Sequence, residues 1–115
     1  MFRFETLEIW KQAIKYGIDI LDLADNFPQK VQFNLGSQLR ASALSVSNNI
    51  AEGSGSSSKL EFKNFLNYSI RSIYETVSAM HIARAKRYIQ EETFNRIYAE
   101  SELLVKKVKS FREVL

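Results

Sequence analysis

The sequence predicts an all-α fold, an up-down-up-down antiparallel four-helix bundle, on three observations. Apolar residues recur at alternating three- and four-residue intervals along four separate stretches, the spacing that keeps them on one stripe of a helix. Only 4 Gly and 1 Pro occur in 115 residues, too few breakers for the many turns of an all-β chain. The stretches are joined by short connections, which make sequential helices antiparallel neighbours. A chain of 13.3 kDa is one domain, 1–115, and its size suffices for a core without disulfides.

Residues 1–6 read as an arm in which Phe2 and Phe4 alternate with Arg3 and Glu5, placed to lie over the bundle end, to clasp a neighbour, or to stay disordered. The first helix is expected at about 7–26. Thr6 is its N-cap candidate, and Leu7, Trp10, Ile14, Gly17, Leu21 and Ala24 form its stripe. It stops at Phe27-Pro28, because a residue before proline is pushed out of the α region. The second is expected at about 33–52, with a stripe of Leu35, Leu39, Ala43, Val46 and Ile50. Gly53 stands where a left-handed C-terminal cap falls, and Ser54 to Ser57 read as a loop. Ser58-x-x-Glu61 has capping-box spacing and opens the third helix, about 59–88, on Phe62, Leu66, Ser69, Ile73, Thr76, Met80 and Ala83. The fourth, about 93–114, carries Phe94, Ile97, Ser101, Leu104, Val108, Phe111 and Leu115. Glu92/Arg96 and Glu102/Lys106 are i,i+4 pairs in the better orientation.

Two helices carry more apolar surface than one stripe needs: Ile9, Tyr16 and Ile20 on the first, and Phe65, Ile70, Tyr74 and Val77 on the third. From Ala41 to Ala51 the second helix has no charged residue, although a solvated helix normally charges its outer face. Either its serines and asparagines face water, or the face is buried between subunits. We expect a homo-oligomer.

Composition narrows the chemistry. Without cysteine there is no disulfide, zinc ribbon or thiol nucleophile. The single histidine, His81, has Ser78 three residues before it, so not even one Glu-x-x-His pair of a di-iron bundle exists. Nothing suggests a Ser-His-Asp set around it. Asp19, Asp22, Asp25, Glu91 and Glu92 lack a calcium-type loop, and Gly53 to Ser58 lack the lysine of a phosphate-binding loop. Neither cofactor nor metal is expected, and enzymatic activity is not. With no apolar run near ~20 residues and a charged segment close to the N-terminus in place of a signal peptide, the expected setting is cytoplasmic, without membrane contact.

Gln38-Leu39-Arg40 followed by Asn49-Ile50-Ala51-Glu52-Gly53 resembles the signature of the 23S rRNA intervening sequence protein family. Leu7-x-x-Trp10-x-x-Ala13 looks like its opening motif, and Ser72-Ile73-x-Glu75 is similar to its helix 3 motif. The matches run in order over nearly the whole chain. The resemblance implies a bundle that assembles into a ring, with a pentamer favoured. It also implies kinship with an accessory protein of diversity-generating retroelements, a basic pentamer thought to bind nucleic acid and a reverse transcriptase. The chain departs from the pattern at Ala41, where the family has a second arginine, at Ser47, where proline is frequent, and at Arg71, where glycine is expected. Among the motif residues Arg40, Asn49, Glu52, Gly53 and Glu75, the charged ones suit structural pairing, since an arginine fork holds a carboxylate where helices meet. Glu52 near a helix C-terminus opposes the dipole and so calls for a partner.

Net charge is +3, from 5 Lys/Arg against 6 Asp/Glu in residues 1–57 and 11 against 7 in residues 58–115. Two basic clusters stand out: Arg84, Lys86 and Arg87 ending the third helix, and Lys106, Lys107, Lys109 and Arg112 ending the fourth. Cations there complement the helix dipoles. They are also the candidate phosphate contacts, at opposite ends of one bundle, and a ring would multiply each. The expected function is a non-enzymatic, homo-oligomeric nucleic-acid-binding or scaffold protein. The alternative is a protein–protein adaptor for an enzyme encoded nearby.

Overall fold

Four α-helices and no strand make up the chain: α1 (Glu8–Asp25), α2 (Ser37–Ser54), α3 (Lys59–Ala85) and α4 (Glu91–Glu113). The computed structural model describes all 115 residues in a body of 43 × 24 × 21 Å. Each helix packs on its neighbours in the cycle α1, α2, α3, α4, and the α2–α3 contact is the most extensive. The core is built on the stripes predicted for α2, α3 and α4, with Leu35, Phe111 and Leu115 of those stripes half-buried against it. Leu39, Ala43, Val46 and Ile50 meet Phe62, Leu66, Ile73, Met80, Phe94, Ile97, Leu104 and Val108, all buried.

On α1 the buried stripe is Ile9, Ala13, Tyr16, Gly17, Ile20 and Ala24. It keeps Gly17 and Ala24 of the expected stripe, and elsewhere takes the residues beside it, Ile9, Ala13, Tyr16 and Ile20. Leu7, Trp10, Ile14 and Leu21 are half-buried at its flank. Both stripes are apolar, and interior contacts decide between them: the Tyr16 and Ser101 hydroxyls pair at 2.7 Å inside the bundle. Burial pushes the Tyr16 phenol up to about 12, against the lowering effect of that hydrogen bond. The arm covers Trp10 instead. Its residues Arg3–Thr6 form a short 3-10 turn, with the Phe4 ring 4.9 Å from Trp10 and Arg3 5.1 Å over Phe62.

Several helix ends differ from expectation, among them the start of α2, which falls at Ser37 and not at 33 because Gln32–Gly36 form a π-helical turn. Leu7, not Thr6, caps α1, because the Thr6 hydroxyl donates back to Arg3 O at 2.8 Å and closes the arm's turn. Gly53 lies inside α2, which runs on to Ser54. It meets the need for close approach: a Cβ there would sit 2.7 Å from Phe65 Cβ and 2.8 Å from Phe62 Cδ1. The third helix stops at Ala85, three residues early, because Arg87 takes φ 63°. Tyr88 N–H then donates to Ala83 O at 2.8 Å and Arg87 N–H to Arg84 O at 2.9 Å, the paired bonds of a left-handed helix cap. At the start of α3 the Ser58 hydroxyl accepts from Glu61 N–H at 3.1 Å.

The uncharged stretch of α2 divides by face. Ser42 and Ser47 point inward and are buried. Ser42 bonds Thr76 at 2.8 Å, and the Ser45 hydroxyl accepts from Ser72 at 2.8 Å. Its outward stripe is Ala41, Leu44 and Asn48.

Candidate nucleic-acid interface

The seven basic candidates separate into engaged and free side chains. Arg84 lies 4.0 Å over the Phe94 ring, 3.4 Å from His81 Nδ1 and 3.9 Å from Glu91. Arg112 donates to Asn67 Oδ1 at 2.7 Å, joining α4 to α3. Both hold helices together. Lys86, Arg87, Lys106, Lys107 and Lys109 are exposed and make no ion pair within the chain.

Contacts between helices show what surrounds each cluster. Tyr16 meets Ser101, Ser69 meets Val46, and the Phe62 and Phe111 rings meet at a tilt, 5.6 Å apart. One half of the molecule therefore gathers residues 1–16, 46–70 and 101–115. That half holds nine Lys/Arg against six Asp/Glu, and the other half seven against seven. The entire excess of +3 lies at the end bearing Lys106, Lys107 and Lys109. The α3 cluster is offset by Asp25, Glu91 and Glu92 nearby. Two lysines that sequence reasoning passed over join the α4 cluster. Lys15 lines a surface groove with Lys107, Gln12, Leu103 and Glu100 between α1 and α4, and Lys11, one turn before Lys15, is paired with Glu8 at 3.5 Å. Their signal in the sequence was too sparse to see, since the cluster forms only when α1 lies beside α4.

The Arg96 partners also differ from expectation. It reaches Asp19 across to α1 at 3.6 Å and Glu100 at 3.2 Å, leaving Glu92 unpaired; Glu102 and Lys106 form no ion pair either. Burial, then the neighbouring Asp19, raises the Glu100 carboxyl above its usual value, and Arg96 opposes this.

Arg40 anchors the other end. Its guanidinium donates to Asp25 Oδ1 at 3.1 Å, to Gln32 O at 3.3 Å and to Gln32 Oε1. The Gln32 amide in turn donates to Ala24 O and Phe27 O, each at 2.9 Å. This chain satisfies carbonyls at the end of α1, which helix geometry leaves without partners. Gly36, in the π-helical turn Gln32–Gly36, leaves room for it: a Cβ there would sit 3.1 Å from Arg40 Nη1.

The family model for 23S rRNA-intervening sequence proteins matches residues 5–110. The chain belongs to that family. Its structure is similar to that of a protein of unknown function from the S23 ribosomal protein family of Bacteroides thetaiotaomicron. The TM-score is 0.84 at 22% identity, covering 90% of this chain and 97% of that one. Likeness at that identity establishes the fold. Among curated proteins, none matches the chain.

In this member of the 23S rRNA-intervening sequence family the signature residues do different things. Arg40 and Gly53 make the interhelical contacts described above. Asn49 donates to Ser45 O at 2.8 Å and to Ser45 Oγ at 2.9 Å on its own helix. Glu52 and Glu75 are exposed and lack the intrachain ion pairs expected of them. Arg40 takes Asp25 in their place, because the C-terminus of α1 lies within its reach. No helix is long and apolar enough to cross a membrane.

Proposed function

We propose that this chain is a non-enzymatic, homo-oligomeric bundle that binds nucleic acid through the end carrying Lys11, Lys15, Lys106, Lys107 and Lys109. The observation that carries the reading is the concentration of the whole net charge in that half. The helices run up-down-up-down and antiparallel, which the pairings Ser42–Thr76, Tyr16–Ser101 and Asn67–Arg112 support. One chain offers few free cations, so phosphate binding gains from repetition around a ring. The pentamer implied by the family resemblance supplies it, with the uncharged outer stripe Ala41–Leu44–Asn48 as contact surface. The setting is cytoplasmic.

The test is affinity for a structured RNA between 50 and 200 mM salt. Three phosphate contacts in all predict a loss of about 40-fold over that range, and each contact added by a further subunit multiplies it by about 3.5. Lys106→Ala with Lys107→Ala flattens the dependence. Absence of binding at ~50 mM salt overturns the reading in favour of a protein adaptor.

A further inference from the structure

We propose that the groove between α3 and α4 takes an unpaired nucleobase of a single strand, stacked among Tyr74, His81 and Tyr98 and read by Glu102. The proposal rests on the nucleic-acid reading above and narrows it to a site and a ligand form.

The groove encloses about 510 Å³, within the range of small-ligand sites and ample for a base. Its floor is Ile73, Val77 and Val105, and Tyr74, His81 and Tyr98 wall it. Tyr74 is 61% and Tyr98 37% exposed, so ring surface is free for stacking. The wall is already ordered. His81 meets Phe94 and Tyr98 edge-on at 5.1 and 6.2 Å, and Arg84 covers the Phe94 ring at 4.0 Å. A base stacking there immobilises little that was mobile, which preserves affinity. Base–aromatic stacking tolerates any base, because every base has a π-face.

Charge along the groove favours a strand over a free apolar ligand. Lys109 follows Val105 by one turn on the same side of α4, and Lys63 precedes Tyr74 by three turns on the same side of α3. Lys86 and Arg87 stand at the far end. From Lys109 to the start of α4 is about 27 Å along the helix, the length of roughly eight stacked nucleotides. The two clusters that the sequence places at opposite ends are thus joined by one aromatic-lined track. Paired bases hide their faces in the duplex stack, so the pocket fits an unpaired one.

Glu102 gives the site a preference. A carboxylate only accepts hydrogen bonds, so it favours adenine, cytosine and guanine, which present amino N–H groups, over uracil, whose single N3–H is flanked by two carbonyl oxygens that repel a carboxylate.

The experiment is fluorescence anisotropy of the full chain with labelled decamers of A, C and U, and with a duplex RNA, at ~50 mM salt. Wild type should bind oligo-A and oligo-C more tightly than oligo-U. Tyr98→Ala and Tyr74→Ala, both at exposed positions, should weaken single-strand binding by about tenfold and leave duplex binding unchanged. Glu102→Gln should remove the preference against uracil. If wild type binds single strands and both tyrosine variants match it, the pocket is refuted while the nucleic-acid reading stands. If Tyr98→Ala alters sedimenting mass and leaves affinity intact, the groove holds a second copy and the proposal fails. If wild type binds neither single strand nor duplex, the underlying reading fails and this one with it.

Discussion

Two glycines give the sharpest test of the packing, because the same substitution has opposite expected signs. Gly→Ala within a helix gains up to about 1 kcal/mol of intrinsic helix propensity. At Gly17 nothing opposes that gain, since the nearest atom to an added Cβ is Ala43 O at 3.8 Å, an ordinary contact. At Gly53 the methyl would lie 2.7 Å from Phe65 Cβ and 2.8 Å from Phe62 Cδ1. Phe65 Cβ is tied to its backbone, so α3 itself must shift by several tenths of an ångström. Overpacking of that kind costs about 1–3 kcal/mol, and Gly53, one residue from the end of α2, gains less propensity than a mid-helix site. The net is a loss of about 1–2 kcal/mol. For a domain of this size 1 kcal/mol corresponds to about 4 °C in Tm. Gly17→Ala should therefore raise Tm by about 2–4 °C, and Gly53→Ala should lower it by about 4–8 °C, read by circular dichroism. A Gly53→Ala protein as stable as Gly17→Ala would refute the close α2–α3 approach and the structural role given to this signature glycine.

Arg87→Gly should stabilise the chain by about 0.5–1 kcal/mol, because Arg87 sits at φ 63°, where a side chain is strained and glycine is not; the same variant should bind nucleic acid less tightly, and an unchanged or lower Tm contradicts the strain. Arg40→Ala removes the donors to Asp25 and Gln32 and should cost about 1–2 kcal/mol in urea unfolding, whereas full stability would mean that the arginine is free for a ligand. Glu100 has its folded value raised, first by burial and then by Asp19, so the native state holds its proton more tightly than the unfolded chain. Its stabilising contribution is complete below the unfolded value near 4.3 and is lost as pH rises through the folded value. Glu100→Gln should thus be more stable than wild type at pH 7, with the difference shrinking towards pH 4; a constant difference would show that Glu100 titrates normally.

Most of the architecture was legible in the residues. On α2 and α4 only one apolar stripe repeats at helical spacing with enough bulk to fill a core, and most of it is buried; on α3 the expected stripe is buried, while of the additional apolar residues Phe65, Ile70, Tyr74 and Val77 only Ile70 is. On α1 two apolar stripes stand side by side, and periodicity does not choose between them. The choice comes from Tyr16, whose hydroxyl finds Ser101 85 positions away, and from the arm folding over Trp10. Helix ends were less legible for a related reason. Gly53 looks like a cap when only its own helix is considered and like a packing residue once Phe62 and Phe65 are beside it, while Arg87 adopts the conformation that glycine would signal. The candidate site was half legible. Lysine runs on one helix are visible in sequence, but Lys11 and Lys15 join them only through the α1–α4 contact. The loss of Arg84 and Arg112 to Phe94 and Asn67 depends on contacts between helices.

Self-association is the claim on which phosphate binding by so few free lysines depends. Sedimentation equilibrium at micromolar concentration tests it most directly. The expected mass is several times 13.3 kDa, reduced to the single-chain value by Leu44→Glu in the uncharged outer stripe of α2. A wild-type protein sedimenting as one 13.3 kDa chain would contradict it.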